Sequence, residues 1–396
     1  MRRPIPARSA PRTIAMIGTR GVPASYGGFE TAVEEVGRRL VARGNEVVVY
    51  CRGTGPARPR THLGMRLVHL SAVHHKALET LSHTALSAVH SAVRRPDVAF
   101  VFNAANSPLL PVLRSRRIPI ALHMDGLEWR RGKWGPTGRR YYRKAEELGV
   151  RWADALIADA PGIAAYYDHQ FGVPTELIRY GATILRTAGT EGITALGLEP
   201  GGYHLVVARF EPENHVAEIV HGYHASAAVK PLIIVGSAPY AAEYTRRVED
   251  VARRDPRIRT LGGVWDQDLL DELYFHAFTY LHGHSVGGTN PSLLRAIGAG
   301  TPVIGYDVGF NREVVAGRGR FFRTAAEVGA AVEDAEARGD GTAAEGSWLR
   351  EHAERTFDWD AVAADYDDLA DRLAAGASMH PQGKAARRRA QAWRDL

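Results

Sequence analysis

Short apolar runs alternate along the chain with longer stretches in which apolar residues return every third or fourth position. The run at 13–17 predicts a buried strand. It leads through a glycine-rich loop into a helix with Val33, Val36 and Leu40 on one face, ended by Gly44. A second strand is expected at 46–50, and others at 65–70, 98–102, 118–122, 155–158 and near 175–179. Helices are expected between them at 78–93 and 141–152. Residues 187–202 are rich in Gly, Thr and Ala and read as a linker. A second alternating series follows. Its expected strands are 203–208, 232–235, 257–261, 279–281 and 302–305, and its expected helices are 216–227, 242–253, 269–277 and 291–299. A final helix is predicted over 348–375, with Phe357, Trp359, Val362, Tyr366 and Leu369 as its apolar positions.

Two such series predict an α/β protein of two Rossmann-like, doubly wound domains facing across a cleft. In such sheets ligands bind beyond the carboxyl ends of the strands. The expected divisions are a disordered basic tail at 1–12, a first domain at 13–186, the linker at 187–202 and a second domain at 203–347. A C-terminal helix at 348–378 and a basic tail at 379–396 follow. A length of 396 residues suits two domains, and a hydrophobic content of 45% suffices for their cores. No apolar run approaches the ~18 residues that a bilayer span needs, and the basic, Pro-rich start lacks a signal-peptide core. The lone Cys51 excludes a disulfide framework within one chain and fits a reducing cytosol. The net charge of +6 points to an anionic partner, although part of it sits in the ends, including 384–389.

Residues 283–305 carry the clearest chemistry. A strand end runs into the turn Gly287-Gly288, then a helix that Asn290 would cap with Pro291 at its first position. Leu293, Leu294 and Ile297 form its apolar face, and Gly300 ends it. Free backbone N–H groups and the helix dipole make such a place suitable for a diphosphate, although an ordinary strand–turn–helix has the same pattern. The first loop contains Gly18, Gly21, Gly27 and Gly28, with Arg20 as a cation and Glu30 in the following helical turn. It lacks the G-x-G-x-x-G spacing, which disfavours a nicotinamide cofactor. Arg130, Arg131, Lys133, Arg139, Arg140, Arg143 and Lys144, interleaved with Trp and Tyr, form a basic–aromatic patch. It suits a lipid diphosphate or anionic membrane, a nucleic acid, or a solvated face. Asp266-Gln-Asp268 and Asp358-Trp-Asp360 match a metal-binding D-x-D pattern, but both stand where helices begin, so no metal is expected. Neither a Cys/His cluster nor a serine nucleophile elbow is present.

Residues 283–305 resemble the donor-binding segment of retaining family-4 glycosyltransferases. That family usually carries two glutamates here; aligned on Leu293-Leu294, their places hold Gly287 and Arg295. The loop at 17–31 closely resembles the start of a bacterial subgroup that includes rhamnosyltransferases of cell-surface polysaccharides. The resemblance runs from Ile14 to about Tyr366. It implies the GT-B fold, with the final helix crossing back to the first domain. It implies that the first loop closes over donor phosphates with Arg20, Gly27 and Gly28, and over the acceptor with Tyr26 and Glu30. The subgroup's Asp-Gly-Leu-Glu-Trp block stands at 125–129, giving Asp125 and Glu128 catalytic roles. His123, Trp129 and Lys133 would bind acceptor, although His123 departs from the Asn expected there. In 207–215, Arg209 matches the family's arginine on the donor diphosphate, and Asn214 replaces its lysine. The leaving diphosphate would then be stabilised by Arg209 and backbone N–H groups, with Arg20 or Arg295. His284, Gly287, Gly288, Thr289, Asn290 and Arg295 complete the implied donor site.

The expected function is a cytosolic, metal-independent, retaining glycosyltransferase without a cofactor. It would move L-rhamnose from dTDP-L-rhamnose to a glycan or lipid-linked acceptor, in peripheral contact with the inner face of the plasma membrane. The acceptor hydroxyl would attack on the face the leaving group departs from, with the leaving phosphate as base. The alternative, motivated by the two missing acids, is a non-catalytic homologue that binds a nucleotide sugar or supports a partner enzyme. Nucleic-acid binding rests on net charge alone and is not expected.

Overall fold

The computed structural model describes residues 11–24, 27–53, 58–73, 78–124, 126–132, 134–236 and 242–380. Most of the two expected tails lies outside these residues, as do Tyr26, Asp125 and Lys133. The chain forms two compact units. The first comprises Met1–Asp125, Pro136–Ile178 and Trp359–Leu396, and the second Gly126–Gly135 and Arg179–Asp358.

In the first unit, β1 (Thr13–Ile17), β2 (Glu46–Arg52), β3 (Thr61–His62), β4 (Met65–Leu70), β5 (Val98–Phe102), β6 (Ile120–Met124), β7 (Ala155–Ala158) and β8 (Glu176–Leu177) make one sheet. Its order is β3-β4-β2-β1-β5-β6-β7-β8, parallel except for the short β3. In the second, β9 (His204–Val207), β10 (Leu232–Val235), β11 (Ile258–Gly262), β12 (Thr279–His282), β13 (Val303–Tyr306) and β14 (Arg320–Phe322) are all parallel, in the order β11-β10-β9-β12-β13-β14. Every residue of β5 and of β10 is buried, so these strands read as unbroken apolar runs, as strands covered on both faces do. In each sheet the order reverses beside the first strand, between β1 and β5 and between β9 and β12. Crevices at such points are where open α/β sheets take ligands.

Several expected elements differ. The strand near 175–179 is only two residues long, and the short β3 and β14 are additions. The stretch expected as a linker contains the helix Glu191–Ala195, with Ile193 buried. The single helix expected over 348–375 is two, Asp340–Thr356 and Trp359–Ala374. The break falls at Phe357, which is buried, and the carbonyl of Phe357 accepts a bond from the Ala182 N–H at 2.7 Å. The two helices serve different units: the first packs with the helix Pro291–Ala299, the second against Gly28–Ala42.

The helix Trp359–Ala374 buries Val362, Tyr366, Leu369 and Leu373 in the first unit. The Tyr366 ring lies edge-on to Phe100 of β5, centroids 5.0 Å apart. Polar contacts set its register. Arg39 Nε donates to Asp360 at 2.7 Å, and Asn45 Nδ2 to the buried Asp367 at 3.0 Å. Arg372 makes a two-pronged contact with Glu176 at 2.8 and 2.9 Å. Each apolar side chain fully buried contributes about 1.5–3 kcal/mol. Leu369→Ala is therefore expected to cost ~2–5 kcal/mol, read as an earlier denaturant-unfolding transition of the first unit. A transition unmoved by this change would show that the helix is not integral to that unit.

Candidate functional site

The switch point of the second sheet brings together the loops that leave β9 and β12. Beyond β9 the chain passes Arg209 and makes a short turn of helix at Pro212–Asn214. Beyond β12 it passes Gly283 and His284. A side chain at Gly283 would collide with the Asn214 carbonyl, so the two loops meet backbone to backbone. Asn214 joins them. Its amide Nδ2 donates to the Arg209 carbonyl at 2.8 Å, and its Oδ1 accepts from Nδ1–H of the buried His284 at 2.8 Å. That pattern places a proton on Nδ1, and in the neutral ring Nε2 is then the acceptor. Burial first, then the charges of His282, Arg131, Arg209 and His215, hold its pKa well below the ordinary histidine value. The His284 carbonyl accepts from the buried Asn311 at 2.8 Å. Ser285 is held from the β9 side, its N–H donating to the Glu213 carbonyl at 2.9 Å.

The glycine turn lies against this cluster. Gly287 has φ of 130°, a backbone state that only glycine adopts readily, and a Cβ there would lie 3.3 Å from His284 Nε2. Gly126 packs on the turn so closely that a Cβ would sit 2.6 Å from the Gly287 Cα. The helix Pro291–Ala299 starts immediately after. Asn290 accepts from the Ser292 N–H at 2.9 Å, Pro291 takes the first position, and Gly300 closes the helix in the left-handed conformation. Thr289 is buried between turn and cap. Arg209 lies 3.6 Å from the buried carboxylate of Glu211 and stays 37% exposed. Arg131 and Arg209 are both near enough to His284 to oppose its protonation. Arg209 and Arg131, each also in contact with a buried glutamate, thus lie near a capped helix N-terminus at the switch point, whose free N–H groups attract an anion.

Other expected residues have different surroundings. Arg295, expected to serve a phosphate, spends its guanidinium on the helix Gln267–Phe275. It contacts Asp271 at 2.9 and 2.6 Å and the Gln267 side chain at 3.0 Å. Position 295 is past the first helical turn, and Asp271 presents an acid to it there. Glu128, expected to be catalytic, is buried, and both its oxygens accept bonds, from Arg131 at 2.8 Å and Trp134 at 3.1 Å. Those bonds shape the segment 126–135, which belongs to the second unit and not, as expected, to the first. Trp129 is partly buried beneath the Arg130 guanidinium, 5.1 Å from its ring centre.

In the first unit, the Arg20 side chain is exposed and its N–H donates to Glu30 Oε1 at 3.0 Å. Glu30, expected to bind acceptor, thereby ties the loop to the helix Gly28–Ala42, which starts just after Gly27. His123 was expected in a loop; β6 extends through Met124, and His123 pairs in register with Phe102 and Ile157. It is buried between the rings of Phe29 and Phe102, centroids 5.1 and 5.7 Å away, and burial pushes its pKa down to about 3. Asp266 caps its helix by accepting from the N–H groups of Asp268 and Leu269. Among the described residues no cluster of His, Cys, Asp and Glu could hold a metal ion, and no helix is long and apolar enough to cross a membrane. Asn214, His215, Ser285 and Gly126 complete the arrangement. The Gly126 contact lacks a signal in sequence, whereas Asn214 stands out as the substitute for a lysine.

Residues 27–181 match the model of the Glycosyl transferase 4-like domain. No curated protein matches the sequence. Among solved structures, sucrose-phosphate synthase from Thermosynechococcus elongatus is similar, with a TM-score of 0.79 and 21% identity over 92% of this chain and 99% of that one. HepE from Anabaena, in complex with UDP-glucose, gives a TM-score of 0.73 and 16% identity, covering 91% of this chain and 100% of that one. The α,α-trehalose 6-phosphate synthase from Burkholderia multivorans gives 0.70 and 13%, covering 93% and 98%. The chain therefore has the two-domain GT-B fold. The match at residues 27–181 is to a glycosyltransferase domain, and the solved structures show the fold.

The buried histidines set a pH response. Burial lowers the pKa of His123 and of His282 to about 3, and that of His284 well below its ordinary value. The unfolded chain binds these protons near pH 6.5 while the folded chain does not, so stability is full above that pH and is lost as pH falls below it. Each group contributes a slope of up to about 1.4 kcal/mol per pH unit between the two pKa values. Denaturation series at falling pH should show this decline, and His123→Phe should make it shallower. A stability that rises on acidification through this window would contradict the neutral, buried histidines.

Proposed function

We propose that this chain is a retaining glycosyltransferase that holds a nucleoside diphosphate sugar at the switch point of its second sheet. The observation that carries the reading is the convergence there of Arg209, Arg131, the Gly287-Gly288 turn and the capped N-terminus of Pro291–Ala299. As the bond from the anomeric carbon to the diphosphate breaks, negative charge builds on the leaving oxygens. Arg209 and the backbone N–H groups of turn and helix stabilise that charge. Neutral His284 offers Nε2 as an acceptor for a sugar hydroxyl. The acceptor hydroxyl attacks on the same face and passes its proton to the departing phosphate. The scheme needs neither a protein nucleophile nor a metal.

For the finer assignment, the donor is dTDP-L-rhamnose, the acceptor a glycan or lipid-linked sugar, and the product a cell-surface polysaccharide. The support is the likeness of the loop at 17–31 and the block at 125–129 to rhamnosyltransferases, together with Arg295. In the family a glutamate at this place holds ribose hydroxyls. Arg295 cannot accept a hydrogen bond and is committed to Asp271 and Gln267, so a deoxyribose without a 2′-hydroxyl loses least here. The HepE structures contain UDP and UDP-glucose, which supports a nucleotide-sugar donor and makes the base the point to test.

The replacement of both family acids, by Gly287 and Arg295, favours a second reading, a homologue that binds nucleotide sugar without turning it over. Calorimetry with thymidine, uridine and guanosine diphosphates, followed by turnover of dTDP-L-rhamnose, decides among these. Thymidine diphosphate should bind best, by ~1–3 kcal/mol, the worth of one hydroxyl or methyl contact. A clear preference for UDP or GDP would remove the rhamnosyl donor while leaving the reaction class. Binding without hydrolysis or transfer would establish the second reading.

A further inference from the structure

The helix Glu79–Arg94 in the first unit is built inside out. Its buried residues are His83, Thr84, Ser87, Ala88, Ser91 and Ala92, which are small or polar. The outward positions are apolar: Leu86 is 44% exposed, Val89 54% and Val93 70%, with Leu78 at the helix start also exposed. At 3.6 residues per turn these four share one stripe. Some of the inward polar groups are satisfied, whereas both ring nitrogens of His83 and Thr84 Oγ1 are buried without a hydrogen-bond partner. Ser91 Oγ donates to the Tyr50 hydroxyl at 2.8 Å, Ser87 Oγ to the His83 carbonyl at 2.8 Å, and Arg52 to Thr80 Oγ1 at 2.9 Å. The inward face is thus polar and partly hydrogen-bonded, while Leu86, Val89 and Val93 stand in solvent. Single exposed apolar residues are ordinary; a contiguous stripe along a helix marks a contact surface.

Charge identifies the occupant. Arg94 and Arg95 are exposed directly after Val93; one turn before Arg94, the pKa of His90 is lowered by burial first, then by Arg94 and by Arg66 of β4. Arg116 reaches the same helix end, donating to the Ala92 carbonyl at 3.1 Å. The acids nearby are engaged: Glu79 with Arg52 at 3.4 Å, Glu46 with Arg66 at 3.5 Å, and Asp97 with the Thr13 N–H at 2.8 Å. An apolar stripe ending in a basic cluster fits the boundary between acyl chains and anionic headgroups. We infer that Leu78, Leu86, Val89 and Val93, with Arg94 and Arg95, form a docking face for an anionic lipid bilayer. This face is a different segment of the chain from the basic–aromatic stretch at 130–144, and it deepens the reading above, on which it rests, by bringing the enzyme to a lipid-linked acceptor.

The test is co-sedimentation of the full chain with vesicles of phosphatidylcholine alone and of phosphatidylcholine with phosphatidylglycerol. Binding is expected to the anionic vesicles only and to weaken with salt. The double change Val89→Asp and Val93→Asp should reduce it by about tenfold or more, given the loss of buried apolar surface and the added negative charge. Arg94→Gln with Arg95→Gln should reduce it at low salt only. Val229→Asp, at an exposed apolar position of the second unit, should leave it unchanged. Because the changed positions are exposed, circular dichroism and nucleotide calorimetry should match the wild type, so a failed lipid result with intact nucleotide binding separates this proposal from the glycosyltransferase reading. Equal binding to both vesicle types, or undiminished binding by the aspartate variant, would overturn it. A wild-type dimer that the aspartate variant abolishes, without vesicle binding, would assign the face to a second copy instead.

Discussion

The candidate site depends on one side chain that spans the reversal of strand order. Asn214 donates to the Arg209 carbonyl and accepts from His284, so it ties the loop beyond β9 to the loop beyond β12. Both loops leave parallel strands whose carboxyl ends point the same way, and contacts beyond the sheet bridge them, from the Asn214 amide and from the Ser285 N–H to the Glu213 carbonyl. The amide does so and fixes two properties at once: the path of the backbone beside Arg209 and the tautomer of His284. A lysine at this place would supply charge but could not accept the His284 proton. The exchange of a cation for an amide leaves Arg209, Arg131 and the helix N-terminus as the positive groups of the crevice.

Much of the architecture was legible because it rests on local chemistry. The alternation of apolar runs and helical faces located both sheets. The cap, proline and terminal glycine of Pro291–Ala299 were readable because each acts within a turn of the chain. Features that depend on distant partners were not. Arg295 meets an acid twenty-four positions away across a helix pair, which spacing does not encode. Glu30 and Glu128 read as ligand groups, yet their carboxylates accept bonds from nearby backbone and side chains. His123 was misplaced because two residues at the end of β6 decide between a strand and a loop. The break at Phe357 follows from long-range packing, the first helix burying Thr342, Gly346, Leu349 and Ala353 in one unit and the second Val362, Tyr366, Leu369 and Leu373 in the other.

The two units use small and polar residues in opposite ways. At the switch point of the second sheet, glycines at 126, 283 and 287 remove side chains so that backbones approach a space lined by positive groups. On the helix Glu79–Arg94 of the first, serines and a histidine face inward and release the aliphatic residues to the surface. Neither pattern follows from a requirement for core volume.

The central claim is that a nucleoside diphosphate sits against the Gly287-Gly288 turn and the helix that follows. Amide hydrogen exchange of the full chain, with and without thymidine diphosphate, tests it directly. The account predicts slowed exchange at 283–294 and at 209–215, with β1 to β8 little changed. Protection confined to the first sheet, with residues 283–294 exchanging as in the free protein, would contradict it.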